Sequence, residues 1–114
     1  MTTVPIIDRA RLDLVCMGNP ALAGEFLDLL IEESSPIVDG LPALVAAGDA
    51  AAVREGAHSV KGIAGNVGAA RLQAAALVLE RSAAGGAAAS VLAEQLAAVA
   101  AALAELRTER SALG

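Results

Sequence analysis

The chain has 114 residues, 56% of them hydrophobic, with no Trp or Tyr and a single Phe; this is the size of one domain spanning residues 1–114, whose core must be filled by Leu, Val, Ile and abundant Ala. A net charge of −5, with basic residues scattered and no aromatics between them, excludes a nucleic-acid surface and leaves a protein as the expected partner. One Cys and one His exclude an internal disulfide and a metal cluster, so no metal site is expected.

In chain order, the punctuation predicts helices almost throughout. A short first helix over 8–17 ends at Gly18, with Cys16 as a small buried or half-buried hydrophobe. Asn19-Pro20 then supplies an N-cap followed by proline at the first helical position. The second helix carries Leu22, Phe26, Leu29 and Leu30 at helical spacing. Pro36 and Pro42 interrupt it, and the continuing stripe of Ile37, Leu41, Leu44 and Val45 predicts a kinked or divided helix reaching Ala47. Gly48 is a stop and Asp49 the next N-cap, opening a third helix over 50–66 that Gly68 ends. A fourth, over 70–82, turns Leu72, Ala75, Ala76 and Leu79 inward and gives way to a Gly85-Gly86 turn. The last, over 90–110, repeats Leu92, Leu96, Val99, Leu103 and Leu106 in a bundle-lining pattern.

No strand-period alternation of useful length interrupts this series. The expected fold is all-α: an antiparallel four-helix bundle with a short additional N-terminal helix across one end. Four apolar stripes can satisfy one another, so a monomer is expected. Mean hydropathy is high at +0.62, but the longest uncharged run, 82–93, falls short of the roughly 18–20 apolar residues a spanning helix needs. The opening MTTVPIIDRAR lacks a basic region ahead of an apolar one. A cytoplasmic protein with no membrane association is the expectation.

The third helix holds the only histidine, His58, and the only lysine, Lys61. On a wheel of about 100° per residue, Val53, Ala57, Val60, Ala64 and Val67 fall roughly opposite His58 and form the core stripe. Arg54, Glu55, Lys61, Gly62 and Gly65 lie within about 60° of it, so His58 is expected to face water. A glycine inside an exposed helix costs about 1 kcal/mol relative to alanine. Two of them on the histidine's face, in an alanine-rich chain, point to something large that must come close. Lys61 is one turn from His58, and the two cation-forming groups make sense together when an anion sits between them. A phosphoryl group on the imidazole fits, because neutral imidazole is nucleophilic and largely deprotonated at cellular pH.

The run His58-Ser59-Val60-Lys61-Gly62-Ile63-Ala64-Gly65-Asn66-Val67-Gly68 resembles the motif of histidine-containing phosphotransfer domains, H-x-x-K-G-x-[AS]-x-x-h-G, where h is apolar. The preceding Gly48-Asp49 break and the following Ala70-Arg71-Leu72 and Leu79-Glu80 extend the likeness over residues 6 to 107. The resemblance implies a phosphorelay intermediate in two-component signalling. His58 would take a phosphoryl group through Nε2 from the aspartyl phosphate of one response-regulator receiver domain and hand it to the aspartate of another, with a hybrid or histidine kinase upstream. Lys61 would offset charge on the phosphoryl oxygens, and Gly62 and Gly65 would admit the receiver. The chain has no plausible Mg²⁺ cage and no nucleotide-binding loop, so it is expected to need no cofactor of its own and to act as a carrier without kinase activity, with Mg²⁺ on the partner receiver.

Ile7, Leu12 and Val15 are candidates for a docking patch beside the histidine, with capping of the bundle end as the alternative. Arg54 and Glu55 are candidates for partner contact, with solvated charge as the alternative. Two further functions stay open on the sequence: the N-terminal phosphotransfer domain of a chemotaxis-type histidine kinase, and a non-catalytic helical adaptor. A chain that opens on Met and shows no linker favours a free-standing protein.

Overall fold

The computed structural model describes residues 4–113 and contains five helices: α1 (Arg9–Val15), α2 (Pro20–Ala46), α3 (Ala50–Val67), α4 (Ala70–Ala84) and α5 (Ala89–Ala112). Among the described residues there is no strand. Helix α3 packs on α2 and α4, and α5 on α4 and α2, which closes an antiparallel ring of four helices joined by short turns. The short α1 lies against α3.

Local chemistry sets the helix starts. The side chain of Asn19 accepts hydrogen bonds from the amides of Ala21 and Leu22, and that of Asp49 accepts from Ala52. Each thereby satisfies donors that the first turn leaves without a helical partner. Asp8 caps α1 in the same way through the Arg11 amide. At the far end of α3, Gly68 adopts φ +89°, and the amides of Gly68 and Ala69 both bond the Ala64 carbonyl. This left-handed close turns the chain into α4 and favours glycine.

The two internal prolines do not divide α2, which runs unbroken through Pro36 and Pro42. Both prolines are themselves exposed, so their rings stand on the outer side of the helix and not in the core. The apolar stripe of α2 is also rotated from the expected one. Leu27, Leu30, Val38, Leu41 and Val45 are buried together with Ser34, whereas Leu29 is 49% exposed and Leu22, Phe26, Ile37 and Leu44 flank the core.

The remaining stripes fall where the periodicity places them. Val53, Ala57, Val60 and Ala64 of α3 meet Leu72, Ala76, Leu79 and Ala83 of α4 and the Leu92, Leu96, Val99, Leu103 and Leu106 row of α5. Cys16 is buried. By length and composition α5 is apolar enough to cross a membrane, with a mean hydropathy of 1.5 in its most apolar stretch. Its leucine row nevertheless points into the bundle.

Small residues set the spacing of α2 and α3. A Cβ on Gly56 would stand 2.8 Å from Leu41 Cδ2 and 3.4 Å from Ile37 Cγ2, so the two helices approach here because Gly56 has no side chain. That contact fixes which face of α3 turns inward and therefore which face turns out.

Candidate functional site

Because the Val53, Ala57, Val60 and Ala64 edge of α3 is held in the core, the opposite edge projects from the bundle. His58 lies on it with 67% of its side chain exposed. The imidazole is nevertheless not free to turn. Nδ1 donates to Glu80 Oε2 of α4, and the other carboxylate oxygen of Glu80 accepts from Lys61 Nζ at 2.6 Å.

An ionised carboxylate can only accept, so Nδ1 is the protonated ring nitrogen; in the neutral ring the lone pair is then left on Nε2. The Lys61 hydrogen bond is the main influence holding the Glu80 carboxyl below its ordinary value. Burial pushes the other way, and the His58 hydrogen bond and the charges of both partners add to the lowering. Glu80 is therefore an anion throughout the neutral range, and Lys61 is partly neutralised by it.

Glu80 is the residue that reasoning along one helix did not assign to the site. It stands 22 positions from His58 and enters only through the packing of α4 on α3. A cross-helix pair of this kind leaves no signal on the wheel of either helix.

The two glycines of the histidine face have different surroundings. Nothing lies within 4 Å of a Cβ placed on Gly62, and the residue is exposed. A Cβ on Gly65 would instead stand 2.7 Å from Gln73 Nε2 of α4. Gly65 thus makes room for a side chain of this protein, and only Gly62 of the pair opens on free space. Arg54 and Glu55 are both exposed and line an open depression with His58 and Ser59.

The docking patch expected on α1 needs correction. Ile7 and Leu12 are buried, and Val15 is half-buried against the core. They close the end of the bundle and have little surface left to offer. Helix α1 also sits at the wrong level: the Asp8 amide bonds the Gly68 carbonyl at 2.7 Å, ten residues along α3 from His58, or about 15 Å. A groove nearer the imidazole is lined by Phe26, Leu29 and Glu33 of α2 with Ile63 and Asn66 of α3, flanking Gly62 in sequence. Among the described residues no group of His, Cys, Asp and Glu side chains is placed to hold a metal ion.

The family model of the Hpt domain matches residues 25–109, the greater part of the chain. The chain belongs to the Hpt domain family. Histidine-containing phosphotransfer protein B (HptB) from Pseudomonas aeruginosa PAO1 is 31% identical to this Hpt domain, with a TM-score of 0.74 over 96% of this chain and 97% of that one. A rice protein described as a histidine-containing phosphotransfer protein shares the fold at a TM-score of 0.83, with 17% identity over 95% of this chain and 79% of that one. Among curated proteins, none matches this chain. Membership makes the role of this Hpt domain histidine phosphotransfer in a two-component phosphorelay, in which such domains exchange phosphoryl groups with receiver domains and kinases.

Proposed function

We propose that His58 is the phosphoacceptor, taking its group from the aspartyl phosphate of one receiver domain and returning it to the aspartate of another. The observation that carries this reading is the bond between Nδ1 and Glu80 on the chain's only histidine, which is itself exposed. That bond supports the reading because a proton held on Nδ1 by Glu80 leaves the lone pair on Nε2, the nitrogen that would attack phosphorus.

In the forward step the Nε2 lone pair attacks phosphorus and the bond to the aspartyl oxygen breaks, releasing the receiver's carboxylate. The Nδ1 proton stays where it is, so the phosphorylated ring is a cation and Glu80 is its counter-ion. Lys61 is placed to offset charge on the phosphoryl oxygens. Its contribution is modest, because an accessible ion pair is screened and Glu80 already shares its charge. The domain supplies the nucleophile and its orientation without a cofactor of its own, and Mg²⁺ belongs to the receiver.

The receiver approaches over Gly62, where the surface is open, and along the groove of Phe26, Leu29 and Ile63. A monomeric carrier fits this reading, since the helices bury their apolar stripes against one another.

The test mixes the protein with a receiver domain loaded from a small-molecule phosphodonor and seeks an acid-labile, base-stable phosphoryl group that maps to His58. Folded His58→Gln is expected to accept none. Continued passage of phosphate from donor to acceptor by that variant would overturn the proposal.

A further inference from the structure

Helix α2 differs from the other four helices in its charge. Each of α1, α3, α4 and α5 carries both acidic and basic residues. Helix α2 carries Glu25, Asp28, Glu32, Glu33 and Asp39 and no Lys, Arg or His. A helix whose charge serves only solubility mixes the signs, because opposite charges three or four residues apart attract and like charges repel. Asp28 is neutralised from α5, by Arg110 Nε at 2.9 Å. Among the described residues Glu25, Glu32 and Glu33 make no ion pair.

These three border the groove beside Gly62. Glu33 lines it together with Phe26 and Leu29. Glu25 and Glu33 stand one turn either side of Leu29, and Glu32 three residues beyond it, so all three share its edge of the helix. Leu29 is half-exposed, an apolar side chain with carboxylates on both sides. The facing wall on α3, formed by Ile63, Asn66 and Val67, is uncharged. At the histidine neither sign prevails: Lys61 is bonded to Glu80, and Arg54 shares its depression with Glu55. On the α2 edge one sign does.

We propose that this acidic edge selects and orients the receiver: the docking receiver seats an apolar side chain against Leu29 and lays a lysine- or arginine-bearing edge along Glu25, Glu32 and Glu33, which rests on the reading of His58 as acceptor from a receiver. Charges at the rim of an interface act on encounter and on the choice of partner more than on the strength of the finished complex. A receiver with an acidic edge is turned away by the same three residues.

The test reads transfer rates against salt. Receiver domains of the same cell are phosphorylated with acetyl phosphate, freed of the donor and mixed with the full chain in rapid quench, and the one that loads wild type fastest serves as the probe. The double variant Glu32→Gln, Glu33→Gln is expected to lose about fivefold in kcat/KM at about 0.01 M salt, and to match wild type at about 1 M, where the screening length is about 3 Å. Its rate at saturating receiver should equal that of wild type, since the chemistry at His58 is untouched.

Glu94→Lys is the control. It makes the same change in net charge at an exposed position of α5, which packs on α4 and α2, and should leave kcat/KM near the wild-type value. Wild-type kcat/KM in the double variant at low salt, a loss that persists at high salt, or an equal loss in Glu94→Lys overturns the role of the α2 edge while His58 stands. If no receiver loads the wild-type chain at His58, the receiver reading falls, and the edge built on it falls with it.

Discussion

Filling the space at Gly62 should separate stability from transfer. Gly62 is exposed, helical, and has nothing within 4 Å of its missing Cβ. Gly62→Ala therefore meets no opposing contact and should realise the full helix-propensity gain of about 1 kcal/mol. For a domain of this length that raises the melting temperature by about 4 °C. Gly62→Gln should gain about half as much, since a longer side chain is a slightly poorer helix former than alanine. Its amide, however, reaches into the space beside the imidazole that a receiver must occupy. Misplacing reacting atoms by about 1 Å can cost on the order of a hundredfold in rate, so transfer from a phosphorylated receiver should fall by at least about tenfold. The assays are a thermal melt followed by circular dichroism and rapid-quench phosphotransfer on the same samples. Gly65→Ala is the internal comparison: its Cβ displaces only the flexible end of Gln73, and transfer should stay near the wild-type rate. A destabilised Gly62→Ala, or undiminished transfer by folded Gly62→Gln, would refute the reasoning.

Two further outcomes follow from the packing and the charge bridge. Gly56→Ala should lower stability by about 1 kcal/mol, because its Cβ would stand 2.8 Å from Leu41 Cδ2, and an overpacking cost of about 1–3 kcal/mol outweighs the propensity gain. A urea midpoint equal to or above wild type would contradict this. The Glu80 carboxyl is held below its ordinary value of 4.5, first by Lys61. Its stabilisation is thus complete above that value and lost as pH falls through the lower folded value. Stability differences between wild type and Glu80→Gln should accordingly shrink below pH 4.5; a gap that is the same at pH 7 and pH 3 would show that the bridge does not act through charge.

Features decided within one helix were legible in the sequence. Asn19 and Asp49 cap as their positions foretell, Gly68 closes α3 in the left-handed region, and His58 faces out because the residues opposite it face in. What stayed hidden depends on a second helix. Gly65 and Gly62 look equivalent on the wheel, yet Gln73 of α4 fills the space at one and not the other. Glu80 joins the site only across the α3–α4 contact. Leu27 displaces Leu29 from the core although both fit a helical stripe, since the rotation of α2 is set by its neighbours. The apolar face of α1 likewise reads alike whether it caps a core or greets a partner, and burial of Ile7 and Leu12 decides between the two.

The seat of α1 bears on the order in which the chain assembles. The segment leading into it is held at two points, by the Asp8 amide on the Gly68 carbonyl and by Arg71 Nε donating to the Val4 carbonyl at 2.8 Å. Both anchors lie at the turn between α3 and α4, about sixty residues downstream, and closing so long a loop carries an entropic cost before any contact repays it. Seven residues are also too few to hold a helix in isolation. Helix α1 therefore draws its stability from the α3–α4 turn, and it has no anchor of its own until that turn is in place.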